Sequence, residues 1–521
     1  MPSRPPREFR PIEGLALLLS CIAIQLSTEV MSQWGTYFYS PPEGEGDTLF
    51  VAITLAGTMF VITYIVSACA DPLCALWSDR TRTRPSIWRV IPIAGRRRPF
   101  IFWGSLGITV TGILFWFPPV PEVSLANFAY GTIILCIHWG VFCAMCAIPF
   151  NALAPEIARS QEARVKIGTW IAGGMILGLA IAEIMPGILV DLLDPTRALV
   201  GPANAAKALH AVAEKEAFGD WLFATDWSST PEGPAPPMDI FSAFKAYQRN
   251  SASPVGFQRM AILFSVIAFV FFQFTVWTVR ERYHSTDTSM VTPPLAVVRQ
   301  TLSNHVFLKY MAIFFLFNLG YLAVQRVLPY WVTVGLKGST SMVSVLMAPY
   351  IFCALAALAF TNRLAKHIPI KWLVFISLGL ITSGLPLMYV IATLEVSSLL
   401  KTVMGAVLFA YCGIGQGMQY VLLTPMIGEI IDLDEQRSGE RREAIYQSVS
   451  QLTWKGSQAL SVYVATLSMH FWGNSVDQPL GIYLVGPIAG LFGILGMTVC
   501  WTYPVLHVTR EAPAEATPGS T

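Results

Sequence analysis

Three charged residues stand inside stretches that are otherwise apolar, and their side chains point to ion chemistry. Asp71 is followed by Pro72, whose ring removes a backbone hydrogen bond and frees a carbonyl. A carboxylate beside such oxygens suits a proton or Na⁺. Lys455 is the lone charge in the middle of the apolar stretch 442–471. An unpaired ammonium is costly there, so it requires an acidic partner, and Asp71 and Glu29 are the candidates. Glu29 follows Gln25 by four residues and shares a helical face with it. That face can hydrogen-bond a hydroxylated ligand, or Glu29 can carry a proton. Asn151 offers a further amide, and Trp454, beside Lys455, offers a ring to stack on.

The elements that must position these residues are membrane helices. Of 521 residues, 54% are apolar and 13% charged, and the mean hydropathy is +0.55. A soluble domain carries about 25% charge, so the chain reads as polytopic. A net charge of +2 gives no case for nucleic-acid binding. Spanning stretches occur near 13–39, 48–77, 99–121, 124–150, 164–194, 256–278, 305–334, 341–363, 368–395, 398–425, 442–471 and 477–505, twelve in all. Arginine and lysine crowd the connections on one side, which the positive-inside rule assigns to the cytoplasm. The expected plan is a cytoplasmic N-terminus (1–12), a six-helix half (13–278) with an external insert (195–255), a cytoplasmic linker (279–304), a second six-helix half (305–505) and a cytoplasmic tail (506–521). The insert reads as an ornament or, alternatively, as a lid.

Other polar and aromatic residues receive plainer readings. Glu183 and Arg326 are placed in the outer parts of their helices, where they can snorkel. Trp34, Tyr37, Trp139 and Tyr420 read as interfacial anchors. All nine cysteines lie in apolar segments, which argues against a disulfide framework. Cys143 and Cys146 read as packed small residues rather than a redox or metal pair.

Two charged segments flank the cytoplasmic helix ends. One runs from Asp79 and Arg80 to Arg96, Arg97 and Arg98; the other is a loop holding Asp432, Asp434, Glu440, Arg441 and Arg442. Carboxylate–guanidinium pairs of this kind can hold two helices together in one state and release them in another, so these residues are expected to form a cytoplasmic gate. The simpler reading is that the arginines only fix topology.

The segment Asp71-Pro72 to Ser78-Asp79-Arg80, then Gly95-Arg-Arg-Arg-Pro-Phe100, resembles the glycoside–pentoside–hexuronide:cation symporter family, which includes the melibiose carriers. Its arginine run is also similar to that of sucrose transporters. Two further stretches match: Ile148-Pro149-Phe150 through Pro155-Glu156, and Asp432 through Glu443 followed by Lys455-Gly456. The resemblance implies a major facilitator superfamily fold, whose halves rock around a midplane site. It also implies cation binding at Asp71. Where the melibiose carriers have a second aspartate and a threonine ligand, this chain has Ser67 and Ala144. Their helix 4 aspartate, its neighbouring tryptophan and their helix 5 arginine fall at Ala147, Asn151 and Ala172, and their helix 1 aspartate falls near Gln25. The family's Na⁺ and sugar ligands are thus incomplete.

The resulting expectation is an all-α membrane protein with twelve transmembrane helices in two six-helix halves. It would be a monomeric symporter of the plasma (inner) membrane with both termini cytoplasmic, importing a sugar or glycoside with H⁺ rather than Na⁺. Asp71, Glu29 and Lys455 would couple the cation, and Gln25, Asn151 and Trp454 would contact the solute. No enzyme activity, cofactor, metal or nucleic-acid partner is expected; the expected partners are solute, cation and membrane lipid. The competing readings are a carrier of a non-sugar solute such as a lipid or amphiphile, and a membrane sensor that binds without transporting.

Overall fold

The computed structural model describes residues 9–43, 49–81, 97–157, 161–194, 254–281, 302–438 and 443–504. Arg96, Glu440, Arg441 and Arg442 lie outside the described residues, as do most of the insert, most of the linker and both chain ends.

The first half consists of α1 (Pro11–Tyr39), α2 (Ile53–Arg80), α3 (Arg98–Leu114), α4 (Leu125–Ile137), α5 (Ala144–Ile157), α6 (Gln161–Leu193) and α7 (Pro254–Thr278). A π-helical segment, His138–Cys143, joins α4 to α5. The second half consists of α8 (His305–Tyr330), α9 (Ser341–Leu364), α10 (Ile370–Gly384), α11 (Leu387–Thr393), α12 (Ser398–Ser438), α13 (Glu443–Trp472) and α14 (Leu480–Trp501). α8 continues into a second π segment, Trp331–Gly335. Among the described residues, ten helices are long and apolar enough to cross a membrane. The other two expected positions hold α3, with 17 residues, and α13, with 30. α3 turns at Phe115 and Trp116, both buried, ahead of Pro118 and Pro119. α13 is diluted by polar residues, Lys455 among them.

Helices form here because a backbone in hydrocarbon must satisfy its own hydrogen bonds. They then pack through small residues. A Cβ at Gly174 or Gly178 of α6 would strike α1 at Leu18 or Ile22, and one at Gly413 or Gly417 of α12 would strike the carbonyls of Tyr350 or Ala354 of α9. The spacing of four residues in both pairs is the GxxxG pattern. It accounts for α1 packing on α6, and α9 on α12, as the closest neighbours of their halves.

The two halves meet along α2–α13, α6–α9 and α1–α8. We call the end of the bundle flanking residues 282–301 the linker face and the opposite end the far face. The far face is closed. Tyr330 donates to the Ser40 carbonyl at 2.7 Å, joining α8 to the end of α1. Val476 N–H donates to the Glu43 carbonyl at 3.2 Å, joining the connection after α13 to the one after α1. Asp191, near the end of α6, accepts from the Thr340 hydroxyl and, at 3.0 Å, from the Ser341 N–H, so it caps α9 across the interface.

Two expectations need correction. The charged segment from residue 432 is not loop at its start: α12 continues to Ser438 and carries Asp432 and Asp434 on its last turns. A helix that leaves the hydrocarbon meets water that solvates charged side chains, so charge alone does not end it. Trp34, Tyr37 and Trp139 are not interfacial anchors but buried core. Trp34 and Tyr37 pack on Phe257 with ring centroids 5.8 and 6.4 Å away.

Candidate functional site

Two polar centres bridge the halves. The first is built on Arg326 of α8, which is only 1% exposed, and Glu183 of α6, 2% exposed. Neither snorkels. Together with Glu29 and Tyr64, they lie roughly ten residues from the far ends of their helices, the π segment to Gly335 being counted with α8, about 15 Å at 1.5 Å per residue. That is half of a hydrocarbon core about 30 Å thick, hence the midplane. Arg326 Nη2 donates to the Tyr64 hydroxyl at 2.6 Å. Its guanidinium also lies over the rings of Phe60 and Tyr64, 5.5 and 5.9 Å from their centroids. Tyr64 stacks in turn on Trp139, 5.1 Å away. Gln325 donates to Glu183 Oε1. Glu29, half-buried, stands beside Gln325 and Arg326, and Gln33 stands beside Glu183.

This centre is rich in polar atoms that lack protein partners. Arg326 Nε and Nη1, Glu183 Oε2, Gln325 Oε1, both amide atoms of Gln33 and Gln416 Oε1 are buried without a hydrogen bond among the described residues. Each such atom costs about 1–3 kcal/mol unless water or a ligand meets it. Glu183, Gln325 and Gln416 line a cavity of about 30 Å³ with Met347, Leu385 and Phe409. That volume holds water rather than a sugar.

The second centre lies closer to the linker face. Lys455 of α13 forms an ion pair with Asp71 of α2. Its ammonium also donates to Ser67 Oγ at 2.7 Å. The side chains are 18% and 37% exposed. Lys455 thus meets Asp71 and not Glu29. Its second acceptor, Ser67, stands where the resembling carriers place a cation ligand.

The remaining expected residues scatter around these centres. Gln25 packs against Gly178 of α6, and Trp454 against Phe314 of α8, with ring centroids 6.1 Å apart. Asn151 is exposed on α5. At the linker face, Arg97 Nη1 donates to Ser78 Oγ at 2.6 Å and Arg98 Nε to the Val276 carbonyl at 2.5 Å. Glu281 Oε1 accepts the backbone N–H groups of both arginines at 2.8 and 3.0 Å, capping α3. These contacts fasten α2, α3 and α7 of one half to each other. Asp79 and Arg80 close α2.

Sequence reasoning missed Gln33, Tyr64, Gln325 and Gln416 in the first centre. A signal existed for Gln33, because Gln25, Glu29 and Gln33 repeat every four residues on α1. No comparable signal marks Tyr64, one tyrosine among seventeen.

A charged centre at the midplane between two rocking halves is how a carrier, rather than an enzyme, is built, and comparison with known proteins agrees. The bundle is similar to the crystal structure of a D-xylose–proton symporter, at a TM-score of 0.60 and 13% identity over 95% of this chain and 98% of that one. It is equally similar, at 0.60 and 12% identity over 96% and 98%, to a bacterial homologue of the lysosomal transporter Spinster in an inward-facing, unoccupied conformation. These likenesses establish the fold. In sequence, the chain is 22% identical to an uncharacterized symporter of Synechocystis over 89% of this chain and 90% of that protein. An isoprimeverose transporter of Lactiplantibacillus pentosus matches at 25% over 30% of this chain and 29% of its own length. The family model described as MFS/sugar transport protein matches residues 19–505. The chain is therefore a multi-pass membrane transporter with the major facilitator fold and belongs to the MFS/sugar transport family.

Proposed function

We propose that the protein is a secondary active symporter that imports a sugar or glycoside together with a proton by alternating access. In this reading it sits in the plasma (inner) membrane as a monomer with both termini cytoplasmic, so the linker face is inside. The observation that carries it is the ion pair between Lys455 and Asp71, because it joins opposite halves. An interaction between halves exists in one state and breaks in another, which is what coupling requires. Solute or proton would release the pair and let the halves rock. The closed far face then belongs to the state in which solute exchanges with the cytoplasm.

Proton coupling is favoured over Na⁺ by the occupancy of the second centre. Na⁺ asks for several oxygen ligands, and the ammonium of Lys455 already takes those of Asp71 and Ser67. The solute would meet the partnerless polar atoms of the midplane centre once it widens, with Gln25 at its edge. Sugar hydroxyls both donate and accept, and so match a surface presenting guanidinium N–H groups, amides and a carboxylate oxygen.

One observation favours a second reading. The cavity beside Glu183 and Gln325 is lined largely by apolar side chains, Met347, Leu385 and Phe409 among them. Once widened, such a lining would suit a cargo with a large apolar portion, such as an amphiphile. Purified protein in de-energised vesicles, challenged with a panel of mono- and disaccharides with and without Na⁺, decides between the two. External alkalinisation on adding one sugar, lost in Asp71→Asn, supports proton–sugar symport. Silence across the panel, with a response to amphiphilic glycosides or lysolipids, supports the second reading.

A further inference from the structure

The midplane centre does not balance its charges. Two carboxylates, Glu29 on α1 and Glu183 on α6, stand near one guanidinium, Arg326 on α8: α1 and α6 pack closely one turn away, where Gly178 meets Gln25, Gln325 bonds Glu183 and lies beside Glu29, and the charge of Glu29 bears on Glu183. Among the described residues, the other titratable groups near them are phenols: Tyr64 of α2, which takes a hydrogen bond from Arg326, Tyr321 of α8, Tyr350 of α9 and Tyr420 of α12. Phenols add no charge at neutral pH. Gln325 donates to Glu183 Oε1, and the other oxygen, Oε2, is buried without a partner. Arg326 likewise leaves Nε and Nη1 unused. An uncompensated carboxylate at the centre of a membrane bundle is among the costliest arrangements a chain can hold.

We propose that Glu29 and Glu183 form a single proton seat, holding one proton between them beside Arg326, and that this seat rather than Asp71 carries the coupling proton. The inference rests on the symport reading above and divides its labour. Asp71 and Lys455 form the lock between the halves. The glutamate pair holds the transported proton at the same depth as the partnerless atoms proposed to meet the solute. One proton on the pair leaves one carboxylate against one guanidinium, so the centre is neutral. Loss of that proton leaves a net negative charge that favours exposing the centre to water. The two carboxyls titrate as one unit, because whichever releases the proton is restrained by its neighbour.

Infrared difference spectroscopy of the purified protein reads this directly, through the carbonyl stretch of a protonated carboxylic acid, and requires no knowledge of the cargo. At neutral pH the wild type is expected to show a band from one buried carboxylic acid. Glu183→Gln removes it, because the remaining Glu29 is then balanced by Arg326 and ionises. Glu29→Gln removes it by the same count. Arg326→Gln roughly doubles it, because both carboxyls then lack a cation. Asp71→Asn leaves it in place. Absence of the band in the wild type overturns the proposal without any variant having to fold. A band that survives Glu29→Gln also overturns it, since the proton would then belong to one isolated acid. Proton-coupled uptake measured on the same preparations separates this claim from the broader one. An intact band without solute-driven proton movement defeats the symport reading and leaves the seat. Proton-coupled uptake without a band defeats the seat and leaves the symport reading.

Discussion

The two centres bridging the halves are built from the same kinds of charge and differ in their exposure. Lys455 and Asp71 are 18% and 37% exposed and satisfy each other, with Ser67 as a further acceptor. Arg326 and Glu183 are 1% and 2% exposed and leave several polar atoms unmatched. A pair that water can reach is cheap to open, because each ion is rehydrated as it separates. Charges buried at the midplane cannot rearrange there without a large desolvation penalty. The exposed pair is therefore suited to opening in every cycle, and the buried centre to holding what the cycle carries. The comparison predicts unequal responses to substitution.

The largest effect is expected at the buried centre. Arg326→Ala leaves two carboxylates without their cation and removes the contacts to Phe60 and Tyr64. Leaving buried charge uncompensated costs about 3–5 kcal/mol. The variant should therefore unfold at a markedly lower temperature and lose transport, as judged by thermal denaturation in detergent and by uptake. A melting temperature equal to that of the wild type would erase the distinction between the centres.

At the exposed pair the expected stability change is smaller. Lys455→Ala should cost about 1 kcal/mol or less, because Asp71 gains water in its place. Transport should nevertheless fall about tenfold or more, since the lock between the halves is gone. A double-mutant cycle with Asp71→Ala should return a coupling of about 0.5–3 kcal/mol from denaturation data. Zero coupling would mean that the ion pair is incidental.

How these centres could be read from sequence follows from the same contrast. The helices were legible because long apolar runs punctuated by basic connections admit few other interpretations. Lys455 was legible as a paired charge because a lone ammonium in an apolar helix demands a partner. Which partner was not legible: the choice between Asp71 and Glu29 depends on the relative depths of α1, α2 and α13, and those are set by packing between halves. Glu183 and Arg326 were misplaced for a related reason. Each lies past the middle of its apolar run, and only the apposition of α6 and α8 with α1 makes them neighbours. Asp432 and Asp434 read as loop because the local polarity resembles one, whereas α12 continues through them to Ser438. The roles assigned to Gln25, Asn151 and Trp454 depend on where a solute sits.

The closed far face offers a finer comparison between contact by shape and contact by charge. Gly187 of α6 lies so close to α9 that a Cβ there would stand 2.5 Å from the Thr340 carbonyl and 2.8 Å from Ser344 Oγ. Gly187→Val must push the far ends apart, at a cost of about 1–3 kcal/mol to the closed state. Spin labels at Glu43 and Asp477, which flank the far-face bridge, should then report a new long-distance population about tenfold larger than in the wild type. An unchanged distribution would show that α6 and α9 adjust without opening.

The smallest expected effect is on the charge contact in the same place. Asp191 accepts from Thr340 and from the Ser341 N–H at the start of α9. It thus caps a helix belonging to the other half, and the contact exists only while the far ends remain together. Removing a cap costs about 0.5–2 kcal/mol. Because the contact joins α6 to α9, that cost falls on the closed state. Asp191→Ala should therefore raise the open population about fivefold, the factor that 1 kcal/mol supplies. Overall stability should change less, since the uncapped N–H groups and the mouth of the bundle can take up water once the ends separate. The same pair of spin labels measures the shift, and Asp191→Asn, which keeps an acceptor oxygen without the charge, should fall between the two. If the alanine variant moved the distances as far as Gly187→Val, charge rather than close packing would be holding the far face shut. If it moved them not at all, the cap would be serving α9 alone, and closure would rest on the fit of Gly187 against Thr340 and Ser344.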